Sequence, residues 1–217
     1  MSESHQQPPN KALHPTAYSF ARRASSLRFR RGVSLVVMPL LSMNGWRITK
    51  YNPAFRDGRG AYLKDEWTSV SDVGKSFEGA VLTFEEYRKI EDAYVSTAVR
   101  FVSEAGLDSL TITYLETYRV WESRAEELRG DIAFDPKLAK KGMTLSREAV
   151  ADVCRLVLRE TFWCKLKSEG GFYIHFGYDY YIYIGSPAPS EQAIAYGGRQ
   201  GLFVEDMASP YVDASEA

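Results

Sequence analysis

The sequence predicts an α+β domain in which an antiparallel meander sheet packs against two main helices. Three strand-like segments late in the chain are separated by loops of hairpin length. Upstream of them, two longer segments repeat apolar residues at the helical period. The chain has 217 residues, of which 45% are hydrophobic and 25% charged, which is the composition of a globular protein. Residues 43–217 are long enough to bury a single core.

The first predicted elements are a strand and a long helix. Residues 46–51 have the composition of a strand, and the turn-forming residues of 52–60 predict a loop behind it. Thr83 and Glu86 have the spacing of a capping box, in which each side chain bonds a backbone amide of the other residue. They predict the start of a helix that ends at Gly106, because glycine readily adopts the conformation that terminates a helix.

The second half of the domain is predicted to hold a strand at 110–115, a helix and the meander. Thr144 or Ser146 caps the helix, and apolar residues recur behind the cap at three- and four-residue spacing. The three strands of the meander are 162–167, 172–176 and 180–184. We expect the last segment, 186–217, to be irregular and to wrap the sheet, since it contains three prolines and two adjacent glycines.

Charge is distributed unevenly along the chain. Residues 1–42 carry six basic residues and one acidic residue, whereas the rest of the chain carries 21 basic and 27 acidic residues. The first segment also lacks a sustained period, so its burial could not offset the entropy cost of ordering it. We therefore expect 1–42 to be a disordered leader outside the fold and 43–217 to be a single domain.

Three origins of this leader stay open. Its basic residues precede the apolar run 33–41, as in a secretory signal, although the basic part is long and the cleavage site poor. Its five arginines are interleaved with Phe20 and Phe29, as in arms that order on nucleic acid.

The third origin is suggested by a resemblance. Residues 10–31, NKALHPTAYSFARRASSLRFRR, resemble the translated recombination site that separates gene cassettes in bacterial integrons. This resemblance implies that the gene's own start is Met43. It also implies that the remainder is similar to an uncharacterised integron gene-cassette protein.

Known catalytic and cofactor motifs are missing from the sequence. Residues 74–76 match the end of a phosphate-binding loop, but Ser69 stands where that loop requires glycine. There is no dinucleotide fingerprint, nucleophilic serine elbow, His-Glu-x-x-His or Cys-x-x-Cys. We predict no cofactor, and no metal site because 43–217 contain a single histidine.

Location and partner class follow from the cysteines and the charge. Cys154 and Cys164 are predicted as buried free thiols of a cytoplasmic protein. A nucleophilic pair of Cys164 with His175 is disfavoured, because strand alternation puts them on opposite faces. The longest apolar run is about half the length that a membrane span needs. The acidic body disfavours nucleic acid as a partner.

The most unusual feature is the aromatic density of residues 172–183, where seven of twelve side chains are aromatic. Because successive side chains of a strand point to opposite faces, some side chains of this segment point away from the core, on the same side as Trp163 of the preceding strand. The candidate binding residues on that side are Tyr173, His175, Tyr181, Tyr183 and Trp163. This face is either covered, with the tyrosines forming a second core, or exposed as a protein-binding patch.

Two functions are compatible with these observations. The first is a non-catalytic binding protein that uses the aromatic face, comparable to an immunity or antitoxin-like neutraliser of a basic protein. The alternative is an enzyme or small-molecule binder with a pocket between sheet and helix near His175 and Asp179. A flat exposed face favours the first function, and a deep pocket with clustered titratable groups favours the second.

Overall fold

A seven-stranded antiparallel sheet organises the protein. The computed structural model describes residues 43–117, 130 and 132–212, so the predicted leader 1–42 lies outside the described residues. The helices and strands follow the chain as β1 Asn44–Thr49, β2 Ser76–Phe77, β3 Ala80–Val81, α1 Phe84–Glu104, β4 Ser109–Thr117, β5 Thr144–Ser146, α2 Arg147–Leu158, β6 Phe162–Lys167, β7 Tyr173–Phe176, β8 Ile182–Ser186, α3 Glu191–Arg199 and β9 Phe203–Asp206. The sheet order is β5-β4-β6-β7-β8-β1-β9, and β2 pairs with β3 in a separate hairpin.

The predicted α+β class is confirmed, and so is the meander of β6, β7 and β8. Each strand of the meander pairs antiparallel with the next. The first strand has the predicted bounds, whereas β8 begins two residues later than expected. The delay has a local cause, because Asp179 and Tyr180 adopt left-handed backbone conformations with φ of 57° and 65°. Such residues cannot continue an extended strand.

Helix α1 begins at the predicted capping box. The Thr83 hydroxyl accepts a hydrogen bond from the Glu86 amide at 3.2 Å, and the Glu86 carboxylate accepts one from the Thr83 amide at 2.9 Å. The helix ends before Gly106, whose φ is +68°. Its capping and termination therefore follow the local sequence signals.

Ser146 caps the start of helix α2, and its hydroxyl accepts from the Ala149 amide at 3.3 Å. The helix is joined to α1 by a buried ion pair. The Arg159 guanidinium donates to both carboxylate oxygens of Glu91, at 2.7 and 2.6 Å, and Arg155 adds a third bond at 3.0 Å. Glu91 and Arg159 are almost fully buried, so each charge depends on the other for its compensation.

The hydrophobic core lies between the helices and one face of the sheet. Ile48, Ile174 and Ile184 of the central strands point into it, and their side chains are fully buried. The Trp46 ring of β1 meets the Phe101 ring of α1 with 5.2 Å between centroids. The sheet therefore presents one face to the helices, and its opposite face is available for other contacts.

The prediction of an irregular segment at 186–217 is wrong at 191–199 and at 203–206. The structure contains α3 there and, behind it, β9, which pairs with β1 at the sheet edge. The amides of Gln192 and Ala193 donate to the Glu104 carboxylate of α1 at 3.1 and 2.6 Å. The described fold thus has three helices, one more than the two that the sequence predicts.

The described residues include no helix whose length and apolar content would let it cross a membrane.

Candidate functional site

The sheet face opposite the helices, here called the outer face, carries a row of polar and aromatic side chains. Successive strands place these residues directly opposite one another, from β4 across to β9. The row consists of Tyr114, Lys165, His175, Tyr183, Arg47 and Glu205. The face therefore combines aromatic rings with charged groups, as the strand alternation predicts.

Two glycines next to this row leave room for close packing. The Tyr173 ring lies directly over Gly185, where a Cβ atom would overlap it. Tyr173 also stacks on His175, with 4.4 Å between centroids and 15° between the ring planes. At Gly45 a Cβ atom would lie 3.1 Å from the Ala208 Cα atom, so the chain crosses the sheet closely at that point.

The crossing chain is residues 207–212, which we call the C-terminal strap. Its first amide, on Met207, donates to the Gly45 carbonyl oxygen at 2.9 Å. The Ser209 hydroxyl lies 2.9 Å from His175 Nδ1, and Lys165 donates to the Tyr211 carbonyl oxygen at 2.6 Å. The strap is therefore fastened to the outer face by backbone and side-chain hydrogen bonds.

Three of the five candidate binding residues are covered. Tyr173, His175 and Tyr183 have relative exposures of 7%, 1% and 6%. At these three positions the outer face is covered, which is one of the two interpretations that the sequence leaves open. Trp163 and Tyr181 are only half-buried.

A cavity of about 620 Å³ lies at one end of the sheet. It is enclosed by the β7–β8 loop, the end of α2, the start of β6, the end of β4 and residues 68–69. Seven aromatic side chains line it: Phe162, Trp163, Phe176, Tyr178, Tyr180, Tyr181 and Tyr211. Its size falls in the range of pockets that hold small organic molecules.

Three carboxylates share this cavity with the rings. Glu116 and Asp179 are exposed, whereas Glu160 is half-buried. Burial raises the pKa of the Glu160 carboxyl, a hydrogen bond from Ser69 lowers it, and the charge of Asp72 raises it. Within the described part of the chain, none of the three lining carboxylates forms an ion pair. The cavity therefore carries uncompensated negative charge.

Left-handed backbone conformations are concentrated around the cavity. Four non-glycine residues in the described ranges have positive φ, and Glu160, Asp179 and Tyr180 are three of them. All three line the cavity. The fourth, Glu78, sits with Gly79 in the tight turn between β2 and β3. The three lining residues have local causes for this conformation. Glu160 follows the C-terminus of α2, where the Thr161 amide donates to the Leu156 carbonyl oxygen at 2.9 Å, and Asp179 and Tyr180 form the turn between β7 and β8.

Beside the cavity lies an aromatic cluster that encloses a lysine. The Lys50 ammonium is 4.1 Å from the Tyr51 ring centroid and 4.2 Å from that of Trp67. Its partner is the Glu66 carboxylate at 3.0 Å. Burial lowers the pKa of Lys50, and Glu66 opposes that shift. The Trp67 ring also meets the Tyr180 ring of the cavity, with 5.0 Å between centroids.

The structure separates the residues of the predicted pocket. Asp179, Tyr181 and Trp163 line the cavity, but His175 lies under the strap and is absent from the lining. An acid–base pair of His175 with Asp179 is therefore not formed. Two further lining residues, Glu160 and Tyr211, carry no signal in the sequence and reach the cavity from the end of α2 and from the strap.

The thiols do not offer a nucleophile at this site. Cys154 and Cys164 are free and fully buried, as predicted. Burial raises the pKa of Cys154 to about 12, so its reactive thiolate is scarce at neutral pH. Cys164 faces the core, and His175 faces the strap. In the ranges that the structure describes, no three His, Cys, Asp or Glu side chains are arranged to hold a metal ion.

Comparisons of the chain with protein-family models, with curated proteins and with solved structures find no match.

Proposed function

We propose that this protein binds a small organic molecule in the cavity at the end of the sheet. The observation that carries the proposal is the lining itself, in which aromatic rings and uncompensated carboxylates surround about 620 Å³. Ligand sites are typically concave and mostly apolar, with a few polar groups that orient the ligand.

The aromatic face offers less support for a protein-binding function. A hot spot requires large side chains that a partner can reach, and Tyr173, His175 and Tyr183 are covered. The neutraliser hypothesis then depends on Trp163 and Tyr181, which both belong to the cavity lining. The small-molecule hypothesis uses the same two residues without requiring the strap to leave the sheet.

Ligand-observed NMR with a library of soluble fragments tests this proposal. Thr68 is exposed and lines the cavity, so Thr68→Trp should fill part of the opening. Leu138→Trp is the matched control, because Leu138 is 61% exposed and lies outside the lining. We expect fragment hits in the wild-type protein, at least a tenfold loss of their affinity in Thr68→Trp and no change in Leu138→Trp.

Two results would contradict the proposal. One is a library without hits at millimolar fragment concentration. The other is a set of hits that Thr68→Trp and Leu138→Trp weaken equally, since binding would then lie elsewhere. Thermal unfolding of both variants shows whether a loss of binding comes from a loss of folding.

A further inference from the structure

We propose that the ligand of this cavity is an organic cation, an amine with an apolar or aromatic body. This inference rests on the proposed function, because it names the ligand class for the same cavity. It is carried by two observations: the sign of the charge in the lining and the aromatic rings around it.

The charge of the lining has one sign. Glu116, Glu160 and Asp179 contribute carboxylates, and the described lining includes no lysine, arginine or histidine. Other acidic groups near this end of the sheet are compensated within the chain. Glu66 pairs with Lys50 at 3.0 Å, and Asp72 pairs with Lys75 at 2.7 Å. The uncompensated carboxylates are thus the ones at the cavity, where a bound cation would neutralise them.

The aromatic rings suit the same ligand class. The face of an aromatic ring is negative, so a cation within about 6 Å of its centroid is attracted to it. Trp163 and Tyr211 are half-buried, so their rings combine apolar surface with access from the cavity. Tyr181 is half-buried too, and its ring already holds a cation, the Arg47 guanidinium, at 5.0 Å from its centroid. An ammonium group between these rings and a carboxylate would gain both interactions.

The protein already holds one ammonium group in this way. Lys50 lies between the rings of Tyr51 and Trp67 and bonds to Glu66. The cavity is adjacent to this arrangement, since Tyr51 meets Tyr181 with 5.6 Å between ring centroids. The cavity offers the same combination of rings and carboxylates, but its described lining supplies no cation of its own.

The same lining disfavours an anionic ligand. Such a ligand would meet three carboxylates, and the described lining offers no basic side chain to compensate its charge.

Three probes of similar shape and different charge test the inference: 2-phenylethylammonium, 2-phenylethanol and 3-phenylpropionate. Affinity is measured by calorimetric titration at pH 7.5, and the indole NH resonance of Trp163 reports binding in the cavity. We expect 2-phenylethylammonium to bind at least tenfold more tightly than the alcohol. Binding of 3-phenylpropionate should be undetectable.

Charge-removing variants assign the effect to the cavity. Asp179→Asn keeps the left-handed backbone accessible, because asparagine tolerates that conformation better than most residues. Combined with Glu160→Gln, it should weaken the ammonium probe at least fivefold and leave the alcohol unchanged. Glu169→Gln is the control, since Glu169 is exposed and lies outside the lining. It should leave the affinity of all three probes unchanged.

The outcomes separate this inference from the proposed function. If the alcohol or the carboxylate shifts the Trp163 resonance as strongly as the ammonium probe, the inference is overturned and small-molecule binding stands. The same conclusion follows if neutral library fragments bind and the ammonium probe does not. If neither the probes nor the library shifts Trp163, both proposals fail.

Discussion

Replacing Tyr183 with alanine tests whether the outer face is a second core or a binding surface. The Tyr183 side chain is buried between the sheet and the strap, with its ring centroid 5.9 Å from that of Tyr211 and 6.3 Å from that of Tyr181. Truncation of a buried large aromatic residue costs about 3–5 kcal/mol. We expect the lower end, about 3 kcal/mol, because the strap covers the ring as a single layer of chain.

Urea unfolding followed by tryptophan fluorescence measures this cost. For a domain of this size, a loss of about 3 kcal/mol corresponds to a melting temperature lowered by roughly 6–12 °C. Tyr178→Ala is the matched control in the same hairpin, since Tyr178 is 83% exposed and its truncation should change stability by less than about 0.5 kcal/mol. Equal urea midpoints for the two variants would refute the covered face and restore the exposed patch.

Three further predictions concern the packing and charge of the fold. Gly185→Ala should cost about 1–3 kcal/mol in urea unfolding, because its methyl group overlaps the Tyr173 ring. The cost should shrink when Tyr173→Ala is already present, and equal costs in both backgrounds would contradict the overlap. Glu91→Gln should destabilise the protein by about 3–5 kcal/mol, since Arg159 loses its bidentate carboxylate. A urea midpoint equal to that of the wild type would show that this pair is not needed. Burial raises the pKa of Glu160, so its ionisation costs stability as the pH rises from the unfolded towards the folded pKa. Glu160→Gln should therefore raise the urea midpoint at pH 7 and leave it unchanged at pH 3, where the wild-type carboxyl is protonated. A gain of equal size at both pH values would assign the effect to something other than this charge.

The elements predicted correctly are those whose signals are local. The capping box at Thr83 and Glu86 satisfies amides within the same turn, so four residues are enough to locate the start of α1. The meander strands are also local, because short loops connect neighbours in both sequence and space. Such contacts can be inferred from spacing alone.

The elements that were missed depend on distant residues. Helix α3 has no side-chain cap of its own, and the Glu104 carboxylate bonds its first amides across 88 and 89 positions of sequence. The helix also contains Gly197, which lowers its intrinsic helix propensity. That glycine is required by close packing, since a Cβ atom there would lie 3.0 Å from Thr97 and from Val204. Sequence periodicity does not report these tertiary contacts.

The residues of the candidate site were likewise predictable only where the local sequence carries a signal. Asp179, Tyr181 and Trp163 belong to the aromatic hairpin and its neighbouring strand, whose unusual composition marks them as candidates. Glu160 gave no such signal, because it follows a helix at a position where a charged residue is ordinarily solvated. Its place in the cavity depends on how α2 meets the β7–β8 loop, which the sequence pattern does not specify.

The covered outer face still bears on the cavity, because the strap connects them. Ser209 lies against His175, and the next bond along the strap holds the Tyr211 carbonyl oxygen on Lys165. The Tyr211 ring then meets Trp163, with 5.9 Å between centroids, and both rings line the cavity. The face that the sequence marks as a binding surface thus positions one wall of the cavity. A substitution of His175 should therefore alter the affinity of the cavity for its ligand through the strap, without any contact between His175 and the ligand.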